Sequence, residues 1–251
     1  MRAAQSTAIF QEILKSGRVP RDAVLVVHSA IAGLSRQGFR AESIIESLLE
    51  YLDSGTLIMP TMTWRTVTPQ NPIFDELATP SHTGVLSEVF RTQYATARSL
   101  HPTHSAAACG PAARPLLAAH HLGDTPVPST SPYGLMRDYP AHILMIGVGL
   151  ECCTAIHHPE EIIAPTIYVK SKSEAETYTL RSRSGLNIHY SLRRHLRLNR
   201  DFPKFAPRLA AKHQLFTGEI GGVKWTLVSA QDLLREVFTA LIDCPAGTLA
   251  E

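Results

Sequence analysis

The segment HILMIGVG, at residues 142–149, gives the clearest signal for a buried strand in the chain. Its run of large aliphatic residues, closed by two glycines, is typical of a strand that is covered on both faces of a sheet. The following segment TAIHHPEEII predicts a short helix that Pro159 limits or bends. Because open α/β sheets bind ligands beyond the carboxyl ends of their strands, we expect His157 to emerge at a ligand site.

Helices and apolar strands alternate through the first half of the chain. The predicted elements there are a helix at 2–16, a strand at 23–29, a helix at 38–55 and a strand at 56–61. Such alternation favours a sheet with helices on both faces. Residues 168–196 instead alternate like antiparallel strands, before helices predicted at 202–214 and 229–242. Together the two halves predict an α/β fold with one mixed sheet.

Two connections carry more specific signals. Residues 64–81 are polar and rich in proline, which predicts a long loop, and loops of this length are often functional. In the segment SPYGLM, Ser131 precedes Pro132. This order is typical of a helix that begins with a serine N-cap and a proline in its first turn.

The composition is that of a globular protein that buries a core. Of the 251 residues, 44% are hydrophobic and 18% are charged, and no repeat or long linker divides the sequence. We therefore expect one domain, residues 1–251. The opening residues lack the apolar core of a signal peptide, and no apolar run approaches the roughly 20 residues of a membrane span. The sequence thus predicts a cytoplasmic protein that does not associate with a membrane.

The cysteines and the net charge exclude other classes of protein. The four cysteines, at 109, 152, 153 and 244, include no C-x-x-C pair, so neither a zinc site nor a disulfide framework is expected. The formal net charge of +2 does not call for a nucleic-acid partner. The charge is uneven, however, because residues 181–200 hold six arginines and no acidic residue. This stretch is either a solvated face or a surface for anionic groups.

His157 and Glu160 form an H-x-x-E pattern in the segment after the buried strand. An imidazole with a near-neutral pKa suits the removal of a proton from an attacking amine. The zinc signature H-E-x-x-H is absent. From the residues alone, a structural role for His157 and a metal site shared with His158 both stay open.

Polar residues also gather near two other predicted strands. Arg98 could bind a phosphate while Thr103 or Ser105 donates a hydrogen bond, or HPTHS at 101–105 is an ordinary turn. The segment VHSAIAGLSRQG at 27–38 leads from a strand into a loop that can point backbone N–H groups at a phosphate.

Taken in order, these segments resemble the aminoglycoside 3-N-acetyltransferase family, also called antibiotic N-acetyltransferases. The shared pieces run from about residue 24 to 165, with weaker agreement to about 233. They are VHSAI…G, GTLIMPTMTW, F-D-x-x-x-T-P-S-x-x-G, ARSLHPTHSAAACG, SPYGLM, ILMIGVG and TAIHHPEE. The family pairs Arg-Ser-x-His-Pro-x-His-Ser with Thr-x-x-His-x-x-Glu, and both patterns occur here, at 98–105 and 154–160.

The resemblance implies a fold, a reaction and a set of site residues. The implied fold is a three-layer α/β/α sandwich around a mixed sheet, distinct from the Gcn5-related acetyltransferases. The implied reaction moves an acetyl or other short acyl group from acetyl-coenzyme A to a primary amine of a small molecule, without a metal. His157 is the expected general base, Glu160 shapes the site, and Asp201 is the expected carboxylate partner of the histidine. The expected coenzyme A residues are His28, Ser29, Ala30, Arg98, Ser99, His101 and Ser105.

The expected chemistry makes modest demands on the protein. Because a thioester is already activated, the enzyme has only to position the amine, remove its proton and stabilise the developing charge. No covalent enzyme intermediate is required. Cys109, Cys152 and Cys153 are therefore expected to be small buried residues rather than nucleophiles.

The acceptor is less well defined than the donor. Resistance enzymes hold polycationic antibiotics in acidic pockets, and the arginines of residues 181–200 would oppose such a ligand. We therefore expect a smaller amine that is neutral or acidic, with a genuine aminoglycoside acetyltransferase as the alternative. A ligand-binding protein without activity, or a metal-dependent hydrolase that uses His157 and His158, would belong to a different class. A homodimer is also kept open.

Overall fold

The computed structural model describes residues 2–250, and within them the side chains from residue 8 onward. Its strands are β1 (Val24–Ser29), β2 (Thr56–Pro60), β3 (Ile73–Asp75), β4 (Ala97–Arg98), β5 (Ala106–Cys109), β6 (Ala141–Ile146), β7 (Glu176–Arg181), β8 (Asn187–Leu192), β9 (Leu215–Ile220) and β10 (Val223–Ser229). Its α-helices are α1 (Arg2–Ser16), α2 (Ala32–Arg36), α3 (Ala41–Tyr51), α4 (Val85–Gln93), α5 (Ala113–Leu117), α6 (Pro132–Leu135), α7 (His157–Ile163), α8 (Pro165–Tyr168), α9 (Ala206–Ala211) and α10 (Ala230–Asp243).

The main sheet has seven strands in the order β4-β5-β2-β1-β6-β10-β9. At its centre, β1 is parallel to both β2 and β6, so these three strands end at the same edge. The strands farther out are antiparallel to their inner neighbours. The predicted strand at 142–149 is β6, in the middle of this sheet, where helices cover both faces.

Alternate residues of the central strands face two separate cores. Val24 and Val26 of β1 pack in a core that α5, α6, α8, α9 and α10 cover. Leu25 and Val27 face the opposite core, which α1, α2, α3 and α4 cover. The structure therefore confirms the three-layer α/β/α fold.

A second, smaller sheet is formed by β3, β7 and β8. Here β7 pairs antiparallel with β8 and parallel with β3, and a small core around Phe74 and Tyr178 lies beneath them. The expectation of one mixed sheet for the whole chain is therefore wrong. Alternate residues of β7 and β8 are buried and the residues between them are more exposed, so these strands suit a sheet with one covered face rather than the interior of the main sheet.

Most of the other predicted elements are confirmed, with four differences. Residues 168–175, expected in a strand, instead hold the end of α8 and a 3₁₀ turn at Lys172–Glu174. The predicted loop at 64–81 is present but includes β3, and the polar segment after β1 contains the short helix α2. Strand β9 was not predicted. The N-cap of α6 is confirmed, because Ser131 Oγ accepts a hydrogen bond from the Gly134 N–H at 3.0 Å. Within residues 2–250, no helix is long and apolar enough to cross a membrane.

Candidate active site

A cleft of about 370 Å³ opens where β1, β2 and β6 end. Polar side chains from several connections meet there, as expected for the carboxyl edge of a parallel sheet. Its lining residues are His28, Ser29, Pro60, Met62, Trp64, Arg65, His82, Thr83, Ser87, His104, Val148, Glu151, Cys152, Thr154 and His157. The size lies within the range of small-molecule sites.

The chain reaches the cleft from β6 through a glycine turn. Gly147 has a positive φ of 68°, and a Cβ at this position would lie 2.4 Å from the Ala30 carbonyl oxygen. Only glycine can combine this backbone angle with so close an approach to the neighbouring loop. Two turns of 3₁₀ helix follow, and α7 then begins at His157. Pro159 lies in the first turn of α7, where its missing N–H costs no helical hydrogen bond.

His157 and Glu160 form a hydrogen-bonded pair on one face of α7. His157 Nδ1 lies 2.7 Å from Glu160 Oε2, a contact that the three-residue spacing permits on a helix. Because a carboxylate only accepts hydrogen bonds, Nδ1 carries a proton, and in the neutral form of the ring Nε2 then keeps its lone pair. His157 lines the cleft, while Glu160 is fully buried behind it. This arrangement suits a general base held by a carboxylate.

Glu160 is held in turn by two residues that sequence analysis did not assign to the site. Its Oε1 accepts hydrogen bonds from Arg200 Nε at 3.0 Å and from Thr248 Oγ1 at 2.6 Å. Burial alone would raise the pKa of Glu160, but its hydrogen bond with His157, the charges of His157 and Arg200, and Thr248 lower it to about 2. Glu160 is therefore ionised throughout the neutral pH range.

Asp201 does not take the role expected of it. Its backbone N–H donates to the Thr248 carbonyl oxygen at 2.9 Å, which fixes the segment that contains Arg200. In the described structure, the carboxylate that bonds to His157 is Glu160. The reason is geometric, since Glu160 lies one helical turn from His157 on the same helix.

Two aromatic rings contact the ring of His157. The ring of His195 lies 4.4 Å from it between centroids, tilted by 36°, and the ring of Phe202 lies at 5.1 Å, edge to face. His195 itself bonds through Nε2 to Glu161 Oε1 at 2.6 Å. The site thus holds two histidine–glutamate pairs side by side, and each takes its glutamate from α7.

His158 points away from this site. Its side chain is fully buried, and its Nδ1 donates a hydrogen bond to the Val127 carbonyl oxygen at 3.1 Å. The two adjacent imidazoles therefore bond to different partners and do not converge on one point. Within residues 2–250, no group of three or more His, Cys, Asp or Glu side chains is arranged to hold a metal ion.

Four of the expected coenzyme A residues are buried and bonded within the protein. The Arg98 guanidinium bonds to Thr61, Ser105 and two backbone carbonyl oxygens of the loop before α4, and it lies over the ring of Phe74. These bonds brace the loop against the sheet. They also leave Arg98 few N–H donors for a phosphate. Ser105 Oγ also donates to the Thr61 carbonyl oxygen at 2.8 Å.

Ser99 and His101 are each hydrogen-bonded to other residues of the protein. His101 Nδ1 accepts from the backbone N–H groups of Thr103 and His104, so its Nε2 carries the proton and donates to the Thr125 carbonyl oxygen. Ser99 Oγ accepts from the Ala106 N–H and lies 2.9 Å from His120 Nδ1. Both side chains are fully buried, so they support the cleft wall from behind.

The expected residues at the end of β1 do reach the surface of the site. His28 and Ser29 line the cleft, and Ala30 lines an adjoining depression of about 520 Å³. Among the described residues, His28 Nε2 is buried without a hydrogen-bond partner, and so are both ring nitrogens of His82. Buried polar atoms are normally hydrogen-bonded, so such orphaned nitrogens in a cleft wall are suited to a polar ligand.

The arginine-rich stretch at 181–200 is not the cationic rim that the sequence suggested. Five of its six arginines pair with carboxylates from other parts of the chain: Arg181 with Asp75 at 3.6 Å, Arg183 with Glu76 at 2.7 Å, Arg193 with Asp124 at 2.8 Å, Arg194 with Glu176 at 3.7 Å and Arg200 with Glu160 at 3.0 Å. The charge of the stretch is therefore largely neutralised, so these arginines give no reason to expect repulsion of a polycationic acceptor.

The cysteines differ in their exposure. Cys153 is buried, and burial raises the pKa of its thiol to about 12. Cys152, expected to be buried, is exposed and lines the cleft because the 3₁₀ turn before Cys153 lies at its edge. Burial around the thiol, with the charge of Glu151, raises the pKa of Cys152. Neither thiol has the lowered pKa of an activated nucleophile.

Comparison with known proteins identifies the family. Residues 26–241 match the family model described as aminoglycoside 3-N-acetyltransferase. Aminoglycoside N(3)-acetyltransferase IX of Micromonospora chalcea is 27% identical over 158 residues, which cover 55% of this chain and 56% of that protein. The prophage-derived aminoglycoside N(3')-acetyltransferase-like protein YokD of Bacillus subtilis is 23% identical over 59% of this chain and 62% of that protein. The matches thus span less than two thirds of these relatives.

Solved structures agree on the fold. The enzyme AAC-IIIb, in a binary complex with CoASH, has a TM-score of 0.75 and 20% identity to this chain, over 94% of this chain and 96% of that one. At this identity the likeness establishes the fold. With the family model covering most of the sequence, the chain belongs to the aminoglycoside 3-N-acetyltransferase family.

Proposed function

We propose that this chain transfers an acetyl group from acetyl-coenzyme A to a primary amine of a small molecule, with His157 as the general base. The observation that carries the proposal is the His157–Glu160 pair, with Nδ1 and Oε2 2.7 Å apart, at a cleft in a chain of this family. Glu160 holds the tautomer in which His157 Nε2 accepts a proton. A protonated amine that gives one proton to Nε2 gains the free lone pair of a nucleophile.

The cleft has groups that fit coenzyme A. Its orphaned nitrogens on His28 and His82 suit the amides of a pantetheine arm. The adjoining depression is lined by several glycines and by Lys224, whose charge suits a phosphate. We assign His28, Ser29, Ala30 and Lys224 to contacts with the cofactor. Arg98, Ser99, His101 and Ser105 are assigned to the support of the wall, since their side chains are buried.

When bound, acetyl-coenzyme A supplies an acyl group that is already activated as a thioester. The protein then has three tasks: to orient the amine, to take its proton on His157 Nε2, and to hold the resulting imidazolium. Glu160 stabilises the imidazolium by its negative charge, and Arg200 and Thr248 keep Glu160 in place. General-base assistance of this kind contributes about 10²–10⁴-fold in rate.

Aminoglycosides are the acceptors to be tested first, because the curated relatives carry that substrate in their names. The paired arginines of residues 181–200 give no reason to exclude a polycation. The cytoplasmic location and a homodimer stay predictions.

A thiol-release assay with acetyl-coenzyme A tests the proposal. Wild type and His157→Ala would be compared, after treatment with a chelator, on aminoglycosides, mono-amino sugars and amino acids. We expect thiol release by the wild type that depends on an acceptor amine, and loss of that release in the variant. Thiol release that needs no amine, or that the variant retains in full, would refute the proposed reaction.

A further inference from the structure

We propose that His195, held by Glu161, is a positioning residue that fixes the ring of His157 and keeps positive charge away from its face. This inference rests on the proposed function of His157. It concerns a pair of side chains that the acyl-transfer chemistry above leaves unused, although both lie beside the general base.

The geometry ties His195 to one position. The backbone on either side of it is bonded to the end of α8 and to the segment that follows. The Leu196 N–H donates to the Tyr168 carbonyl oxygen at 2.8 Å, and the Lys170 N–H donates to the Arg194 carbonyl oxygen at 2.9 Å. The His195 side chain is 12% exposed and its Nε2 lies 2.6 Å from Glu161 Oε1. A ring held at both its backbone and its tip cannot easily rotate.

Glu161 is anchored just as firmly. Its Oε2 accepts from Thr125 Oγ1 at 2.5 Å, its Oε1 accepts from the Val127 N–H at 2.8 Å, and its side chain is 2% exposed. The loop before α6 therefore fixes Glu161, Glu161 fixes His195, and His195 contacts the face of His157 at 4.4 Å. With Phe202 at 5.1 Å and Glu160 at Nδ1, His157 is contacted by three side chains.

The charge of the pair follows from its surroundings. The titratable and charged groups of the described residues that face the pair include His157, His158 and Glu160 of α7, His101 and His104 before β5, Tyr190 of β8, and Arg193, Arg194 and Arg200 of the segment after β8. Burial raises the pKa of Glu161 to about 7, and burial with the charges of His157 and Arg200 lowers the pKa of His195 well below its ordinary value.

The lowered pKa of His195 favours its neutral ring near neutral pH, and the Glu161 carboxyl 2.6 Å from its Nε2 adds no positive charge to the pair. His157 becomes a cation when it takes the proton of the amine. A second imidazolium at 4.4 Å would oppose that step, since like charges disfavour protonation of a neighbour. A neutral His195 packs against the ring of His157 without opposing the protonation of His157.

A double-mutant cycle tests the positioning role. We expect His195→Ala to lower kcat by about 10–100-fold while the KM for acetyl-coenzyme A changes by less than about threefold. In a His157→Ala background, the same substitution should add less than about twofold, because the ring it positions is gone. His189→Ala, at an exposed histidine on β8, is the matched control and should leave kcat unchanged. An equal loss in both backgrounds, or an effect on KM alone, would overturn the proposal.

A second measurement does not depend on turnover. Nitrogen-15 NMR of the imidazole rings in the wild type should show His195 still neutral at pH 6.5, where an ordinary histidine is about half protonated. Protonation of His195 at its ordinary pKa of about 6.5 would overturn the proposal even in an active enzyme. If instead no acyl donor is consumed by the wild type while His195 stays neutral, the proposed function fails and the charge assignment stands.

Discussion

At the residue scale, the two adjacent histidines of α7 have opposite environments. His157 lines the cleft and bonds to Glu160, whereas His158 is fully buried, bonds to the Val127 carbonyl oxygen and packs against Phe238 at 5.9 Å. A general base acts on rate, while a buried hydrogen-bonded side chain acts on stability. Substitution of His157 should therefore affect the catalytic rate, and substitution of His158 should affect the stability of the fold.

We predict that His157→Ala lowers kcat by about 10²–10⁴-fold with little change in unfolding free energy. His158→Ala should destabilise the protein by about 1–3 kcal/mol, because it leaves the Val127 carbonyl oxygen unpaired in the core, and should keep kcat within a few-fold. Urea unfolding and steady-state kinetics on both variants check this. A His158 variant that folds normally but is inactive would contradict the assignment.

The sequence located part of this site and missed the rest for a clear reason. The position of His157 after the central strand predicts it at the site, and the family resemblance adds Glu160. Arg200 and Thr248, which hold Glu160, lie 40 and 88 residues away along the chain. No local pattern marks such partners. The family resemblance points to a carboxylate in the second half of the chain, which indicates Asp201, whereas the carboxylate that bonds to His157 lies on α7 and its neighbour in this region is Arg200.

At the scale of elements, residues 181–200 show how local charge can mislead. The stretch has no acidic residue of its own, but residues from other parts of the chain that lie next to it in the structure supply five carboxylates. Of these ion pairs, Arg200–Glu160 is the most enclosed, with exposures of 13% and 0%, whereas Arg193–Asp124 is exposed at 20% and 50%. The two pairs should contribute differently to stability.

We predict that Arg200→Met destabilises the protein by about 3–5 kcal/mol, because removing one partner leaves the buried Glu160 charge without its cation. Arg193→Met, the matched control on the same stretch, should cost about 0–1 kcal/mol. Chemical unfolding at neutral pH measures both. Similar small losses in the two variants would mean that Glu160 does not depend on Arg200.

The missed strand β9 also has a structural explanation. Its sequence LFTGEI carries a glycine, which weakens any strand signal. In the structure, a Cβ on Gly218 would lie 2.5 Å from the Trp225 ring on β10, so the glycine makes room for that side chain. Strand β9 is at the edge of the sheet and is only partly buried. The alternation that marks a strand is therefore weak, whereas β6 at the centre was evident from its aliphatic run.

At the scale of the whole molecule, the sheet decides where chemistry can occur. Three parallel strands end at one edge, and the cleft, His157 and the unpaired ring nitrogens of His28 and His82 within the described residues gather there. The alternation of helices and strands was sufficient to predict that edge. The separate sheet of β3, β7 and β8 was not predictable, since β3 pairs with a strand about 100 residues away.

This architecture leads to a prediction about the folded protein as a unit. A ligand that binds only the folded state at 100 times its dissociation constant adds about 2.7 kcal/mol of stability. For a chain of this size, that corresponds to a rise in Tm of about 5–10 °C.

We expect acetyl-coenzyme A to give such a rise in Tm in wild type and in His157→Ala, with or without prior chelation, because the proposed cofactor contacts lie on or next to β1 and β10. Lys224→Ala should reduce this rise in Tm, because Lys224 lines the depression assigned to the cofactor. Lys212→Ala should leave the rise unchanged, because Lys212 pairs with Glu236 and is not one of the assigned contacts. A rise in Tm that disappears on chelation and returns with added zinc would instead favour a metal-dependent hydrolase. Such a result would require a metal site shared by His157 and His158. In this structure the two histidines do not form one, because His157 bonds to Glu160 and His158 bonds to the Val127 carbonyl oxygen.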